Sequence, residues 1–177
     1  SGVKNIKTYS FEPDCYNFAV LKENIEINNL EKNVSIFKIA ISNVNKDLYL
    51  LKNQPFEGGH LKVLENGERV EDFKDCKEKE LVKAVKAVKL DDFIEINKLP
   101  YPDYIKVDVD GNEINFIEGA DKTLNYIKKI HIELTDANKE IIINLLSKYE
   151  LKIEKKIDIY GRWNNKVEGL YNYIFSK

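Results

Sequence analysis

Residues 102–120, PDYIKVDVDGNEINFIEGA, read as a buried strand that delivers carboxylates to the start of a helix. Residues 104–109 form a short run rich in β-forming types, entered through Pro100 and Pro102, a pattern that predicts a central parallel strand. Asp110 and Glu113 have capping-box spacing. Asp110 is therefore expected to accept the first free N–H groups of a helix while Glu113 reaches back, with Gly119 as the natural stop. Asp108 is required by neither the strand nor the cap. A carboxylate at the C-terminal end of a strand in an open α/β sheet stands where such sheets bind ligands.

A chain of 177 residues, 43% hydrophobic and 33% charged, can bury one core and is expected to form a single domain over residues 1–177. The net charge of -2, from 28 basic and 30 acidic residues, makes no case for a nucleic-acid or membrane-surface partner. The locally basic run at residues 77–89 is interrupted by Glu78 and Glu80 and reads as a solvated face. Cys15 and Cys76 form neither a disulfide framework nor a metal-ligand spacing, so they read as ordinary packing in a reducing compartment. No apolar run approaches the ~20 residues that span a bilayer, and no signal segment opens the chain. A cytoplasmic protein is expected.

Along the chain, residues 7–11 predict a strand that stops at Glu12-Pro13, after which Asp14 caps a helix with the stripe Phe18, Leu21 and Ile25, ended by Asn28-Asn29. Residues 34–41 are apolar on both faces and predict one covered strand. Residues 47–90 predict an antiparallel insertion. It contains a strand at 47–52, a loop with Gly58, Gly59 and His60, a hairpin turn at Asn66-Gly67 and a strand over much of 81–90. Asp91, Asp121 and Asp136 are each expected to cap a helix. The last of these helices carries the stripe Ile141, Ile142, Leu145 and Tyr149. Residues 129–134 alternate as a strand. Leu151, Ile153, Ile157 and Ile159, followed by residues 170–175, predict a closing antiparallel hairpin across Gly161, Trp163 and Gly169.

Parallel core strands would bring their C-terminal ends to one edge. That edge collects Glu12, Ala40, Ile41, Ser42, Asp108, Asp110, Gly111 and Glu133. An acid after the second strand of such folds accepts hydrogen bonds from ribose hydroxyls, because one carboxylate can hold both members of a diol. Glu12, beside Pro13, either takes that role or is a solvated turn acid.

At this point the sequence resembles a family. FEPDCYNFAVLKENIEINNL, AIS, LDDFI, DYIKVDVDGNEINFIEGADKTL and IHIEL are similar, in order, to the motifs of FkbM-type methyltransferases, which use S-adenosylmethionine. The resemblance implies a mostly parallel, Rossmann-like class I methyltransferase sheet. It also implies Glu12 and Pro13 at the cosubstrate ribose, Ala40, Ile41 and Ser42 near the adenine, and Asp108 facing the methyl-transfer region. Asp110, Glu113 and Glu133 are left for a small-molecule or glycan acceptor, and the implied chemistry is O-methylation of a hydroxyl on a sugar or other natural product, with no metal. Two departures stand out. Asp110 occupies a position where the family usually carries Glu, and no Gly-rich turn precedes Glu12. The chain is therefore expected to be part of a longer protein whose preceding residues hold a strand, that turn and a helix, and to bind S-adenosylmethionine poorly alone.

Methyl transfer to oxygen needs an aligned hydroxyl and a group to take its proton. Asp108, Asp110, His60 and His131 are the candidates; His60 lies on a glycine-bearing loop, whereas His131 sits inside a strand and reads as structural. Two other function classes compete. Asp108-Val109-Asp110 also has the spacing of the cation-binding pair of a sugar-nucleotide glycosyltransferase. The third reading is a methyltransferase-like domain that binds a partner without catalysis.

Overall fold

The computed structural model describes residues 6–52, 61–64, 82–160 and 166–177, which divide into two compact units, Ser1–Val88 and Lys89–Lys177. The expected hairpin turn at Asn66-Gly67, the loop carrying Gly58, Gly59 and His60, and Gly161 and Trp163 lie outside the described residues.

In the first unit, β1 (Thr8–Phe11) runs parallel to β2 (Val34–Phe37). Between them lies α1 (Cys15–Ile27), which starts where expected because Asp14 Oδ1 accepts the backbone N–H groups of Tyr16 and Asn17, each at 3.0 Å. The helix ends at Asn28, and Asn29 turns the chain with φ 56. The expected strand at 34–41 is two strands. After Phe37 the chain leaves β2, and Ala40–Ile41, β3, pairs in a different sheet with β6 (Val82–Val88). β4 (Lys46–Lys52) lies antiparallel to both β6 and β5 (Leu61–Leu64). Ala40, Leu48 and Ala87 form the core of this sheet, with Val44 and Val85 against it. Cys15, expected to pack, is exposed.

The second unit opens with α2 (Leu90–Ile96), then β7 (Tyr104–Val107), α3 (Glu113–Glu118), α4 (Asp121–Leu124), β8 (Lys129–Thr135), α5 (Lys139–Ser147), β9 (Lys152–Tyr160) and β10 (Lys166–Ser176). Its sheet has the order β7-β8-β10-β9, with β7 parallel to β8 and the remaining pairs antiparallel. The sheets are thus mixed rather than mostly parallel: among the described residues the C-terminal hairpin and the β4 pairings supply the antiparallel share. β7 is also shorter than expected and stands at a sheet edge, with Val107 its one buried residue. β8 follows the expected alternation. Ile130, Ile132 and Leu134 are wholly buried, while His131 and Glu133 point to a half-exposed face.

Three of the acids assigned to helix starts do other work. Asp91 lies inside α2, where Lys89 is the N-cap. Its carboxylate instead accepts the N–H groups of Lys122 and Thr123 at 2.8 Å and the Thr123 hydroxyl at 2.6 Å, capping α4 across 31 to 32 residues of chain. That leaves Asp121 free of capping duty, and it accepts the Tyr149 hydroxyl at 2.6 Å. Asp136 pairs with Lys139 at 2.7 Å, while Asn138 occupies the cap position of α5. The expected stripe of α5 is displaced too: Ile142 and Leu146 are fully buried, whereas Ile141 is 50% exposed.

Candidate functional site at the strand ends

The turn after β7 decides how its carboxylates are held. Asp110 takes φ 45 and Gly111 φ 94, successive left-handed residues that favour glycine or a short polar side chain. Asp110 is consequently not the helix cap. Asn112 holds the cap position of α3 and makes no side-chain capping bond, and Gly119 ends the helix as expected but with φ -83 rather than in the left-handed region. The backward contact of the capping box survives in altered form. Glu113 Oε1 accepts the N–H of Gly111 at 2.9 Å. Its Oε2 accepts Asn138 Nδ2 at 3.0 Å, and Asn138 Oδ1 accepts the N–H of Thr135 at 2.8 Å. Glu113 is only 5% exposed, so a buried carboxylate ties the turn after β7 to the turn after β8.

Asp108 follows directly on β7. Its Oδ2 accepts Lys106 Nζ at 2.6 Å, with the two side chains 61% (Lys106) and 53% (Asp108) exposed. Lys106 and His131 are register partners, as are Val107 and Ile132, so the period of two puts Lys106, His131 and Glu133 on the same sheet face. Glu133 lies opposite Asn172 of β10. His131 Nε2–H donates to Asn172 Oδ1 at 2.8 Å, which gives that histidine the structural contact expected of it. Burial is the first cause that raises the Glu133 pKa above its ordinary value; the negative charges of Asp108 and Asp110 add to it, Lys106 opposes them, and Glu113 adds a smaller push.

The remaining site residues lie in the first unit. Glu12 continues the β1–β2 ladder, its N–H bonded to Phe37 C=O at 3.1 Å, and its Oε1 accepts the N–H of Asp14 at 2.7 Å. Pro13 sits between them. Ala40 and Ile41 are buried on β3, and the buried Ser42 donates its N–H to Val88 C=O at 2.9 Å. His60 is outside the described residues. Among the described residues, no group of three or more His, Cys, Asp or Glu is placed to hold a metal ion, and no helix is long and apolar enough to cross a membrane.

Sequence reasoning missed Lys106, Asn138 and Asn172. Lys106 stands two residues before Asp108, so strand periodicity alone could have paired them. Asn138 follows β8 in a turn and is a residue type favoured at helix starts, yet Asp136 drew the cap assignment. Nothing local marks Asn172, whose partner lies on another strand.

No curated protein matches the chain. Among solved structures, it is similar to the methyltransferase FkbM from Methylobacillus flagellatus, at 13% identity and a TM-score of 0.58, covering 94% of this chain and 36% of that one. It therefore spans little more than a third of that protein's length. A second match, the precorrin-6y C5,15-methyltransferase from Geobacter metallireducens, has 14% identity, covers 99% of this chain and 83% of that one, and reaches a TM-score of 0.42, too low to imply a shared fold. The family described as the methyltransferase FkbM domain matches residues 2–155, and with most of its length so covered the chain belongs to the FkbM methyltransferase domain family.

Proposed function

We propose that this chain is the S-adenosylmethionine-binding and catalytic part of a methyltransferase acting on a hydroxyl of a sugar or other natural product, a small-molecule or glycan acceptor. The observation that carries the reading is the family match over residues 2–155, within which the parallel strands β7 and β8 lead to Asp108 and Glu133. On this reading the 177 residues are one methyltransferase-like domain of Rossmann-like class I type, to which β1–β2 and β7–β8 contribute parallel pairs in their separate sheets. The protein works in the cytoplasm, with neither nucleic acid nor a membrane as partner.

The residues fit the cosubstrate. Glu12 ends a parallel strand, and the Asp14 N–H holds one of its oxygens; a carboxylate fixed in this way is a suitable acceptor for a ribose diol. Glu12 and Pro13 take the ribose, Ala40, Ile41 and Ser42 flank the adenine, and Asp108 faces the methyl-transfer region. Asp110 and Glu133 face the acceptor, with Glu113 holding the turn beneath them. When bound, S-adenosylmethionine supplies an electrophilic methyl carbon whose bond to sulfur breaks, the electron pair staying on sulfur, as an aligned oxygen attacks.

Calorimetric titration of S-adenosylmethionine into the full-length gene product and its Glu12→Ala variant tests the reading. The expected result is binding by the wild type and a loss of about 1–3 kcal/mol in the variant, the worth of charge-assisted hydrogen bonds to the ribose. Absence of binding by the wild type would leave a partner-binding domain without catalysis as the better account.

A further inference from the structure

Four carboxylates come together where β7 and β8 end, and their protein contacts set them apart. Glu113 has both oxygens engaged, by Gly111 N–H and Asn138 Nδ2. Asp108 has Lys106 Nζ at 2.6 Å. Asp110 sits on the left-handed turn at φ 45, beyond the end of the strand. Glu133 differs from these in standing on the strand itself, half-buried and in register with Asn172. Among the described residues, no hydrogen bond or ion pair engages its carboxylate. We propose, resting on the methyltransferase reading, that Glu133 takes the proton of the acceptor hydroxyl, and that Lys106 is a positioning residue that holds Asp108 and sets the charge facing Glu133.

A general base needs an available lone pair, a fixed position and a proton affinity high enough to draw the proton away. Glu133 meets the first two by its place on β8. For the third, the groups facing it are Lys106 from β7, Asp108 directly after that strand, Asp110 from the turn, Glu113 from α3 and the neighbouring His131 on its own strand. Burial and the carboxylates favour the protonated form, while Lys106 opposes them. In the step itself the proton passes from the hydroxyl oxygen to a carboxylate oxygen of Glu133. The electron pair left on the acceptor oxygen forms its bond to the methyl carbon.

The test requires no identified acceptor. S-adenosylmethionine carries a sulfonium charge and S-adenosylhomocysteine, its demethylated product, does not, so a base poised at the methyl group should sense the difference. The Glu133 carboxyl carbon, assigned by its loss in Glu133→Gln, is titrated by NMR in the full-length protein saturated with each nucleoside in turn. The expected midpoint is about one pH unit lower with S-adenosylmethionine, as for an opposite charge within ~4–6 Å; Lys106→Met should raise it in both complexes. Identical midpoints in the two complexes, or loss of nucleoside binding in Glu133→Gln, would overturn the role given to Glu133. Failure of the wild type to bind either nucleoside would instead sink the methyltransferase reading beneath it.

Discussion

Asn138 Nδ2 lies 3.0 Å from Glu113 Oε2, a single hydrogen bond that joins the turn after β8 to the start of the helix after β7. The same carboxylate accepts the Gly111 N–H through its other oxygen. Glu113→Ala therefore strands a backbone N–H and an amide group at a site that is 5% exposed. It should cost about 2–4 kcal/mol, since lost bonds to a charged group and an unsatisfied buried donor act together. Glu113→Gln keeps one acceptor and should cost about half as much, and Asn138→Ala about 1–2 kcal/mol. Urea unfolding of the three variants checks the order; equal stability of Glu113→Ala and wild type would show that the bridge does not hold the turn.

Asp91 reaches across the second unit to α4, accepting two backbone N–H groups and the Thr123 hydroxyl. Asp91→Ala should lower stability by about 2 kcal/mol, the upper range for loss of a helix N-cap. Thr123→Val removes only the hydroxyl and should cost about 1 kcal/mol. The double variant should lose less than the sum, because both changes remove the same contact. Strict additivity in denaturant unfolding would argue against a shared cap.

These two contacts mark where local reading succeeds and where it stops. Asp14 caps the helix that directly follows it, and the strict alternation of Ile130, Ile132 and Leu134 is a period-two signal that needs no tertiary information. Asp91, Asp121 and Asp136 carry the same local signal as Asp14, yet none caps the helix assigned to it: Asp91 and Asp121 bind partners far along the chain, and Asp136 pairs with the Lys139 side chain. A carboxylate satisfies whichever donors the fold brings nearest, and for Asp91 those lie on α4. The break between β2 and β3 has the same origin, since apolarity on both faces says that residues are covered but not by which sheet. At the candidate site, the strand-end position of Asp108 was legible. The engagement of Glu113 with Asn138 was not, because it depends on two turns meeting.

The Lys106–Asp108 pair is half-exposed, so its removal should change stability by less than about 1 kcal/mol. Its effect on turnover should be large. Asp108→Asn frees the Lys106 charge to face Glu133 and should nearly abolish methyl transfer. Lys106→Met removes the group that lowers the Glu133 pKa, so the acid limb of the turnover profile should move to higher pH. A wild-type rate in Asp108→Asn on a confirmed acceptor would reduce Asp108 to a surface ion-pair partner.

Tyr149 donates to Asp121 at 2.6 Å, and burial together with that bond pushes its pKa up to about 12 from 10.0. The folded state thus keeps this proton longer than the unfolded chain does. The resulting stability is fully present below pH 10.0 and is lost as the pH rises through about 12. Tyr149→Phe should flatten that alkaline loss in unfolding curves. A phenolate absorbance titration with every tyrosine ionised well below pH 12 would contradict the buried bond.

Glu133 carries the opposite implication for stability at neutral pH. Its folded pKa is raised above 4.5, chiefly by burial, so the native state binds its proton more tightly than the unfolded chain. Stability from this group is complete below 4.5 and falls as the pH rises through the higher folded value. Above that folded value the ionised carboxylate is therefore a burden on the fold. Glu133→Gln should relieve it, giving a protein at least as stable as wild type at pH 7, with the difference vanishing below pH 4.5. Partial exposure keeps the gain under about 1 kcal/mol. A residue held only for structure gives the reverse result on substitution. Destabilisation of Glu133→Gln at pH 7 in paired urea titrations would mean that its charge is satisfied by the fold rather than kept available for chemistry.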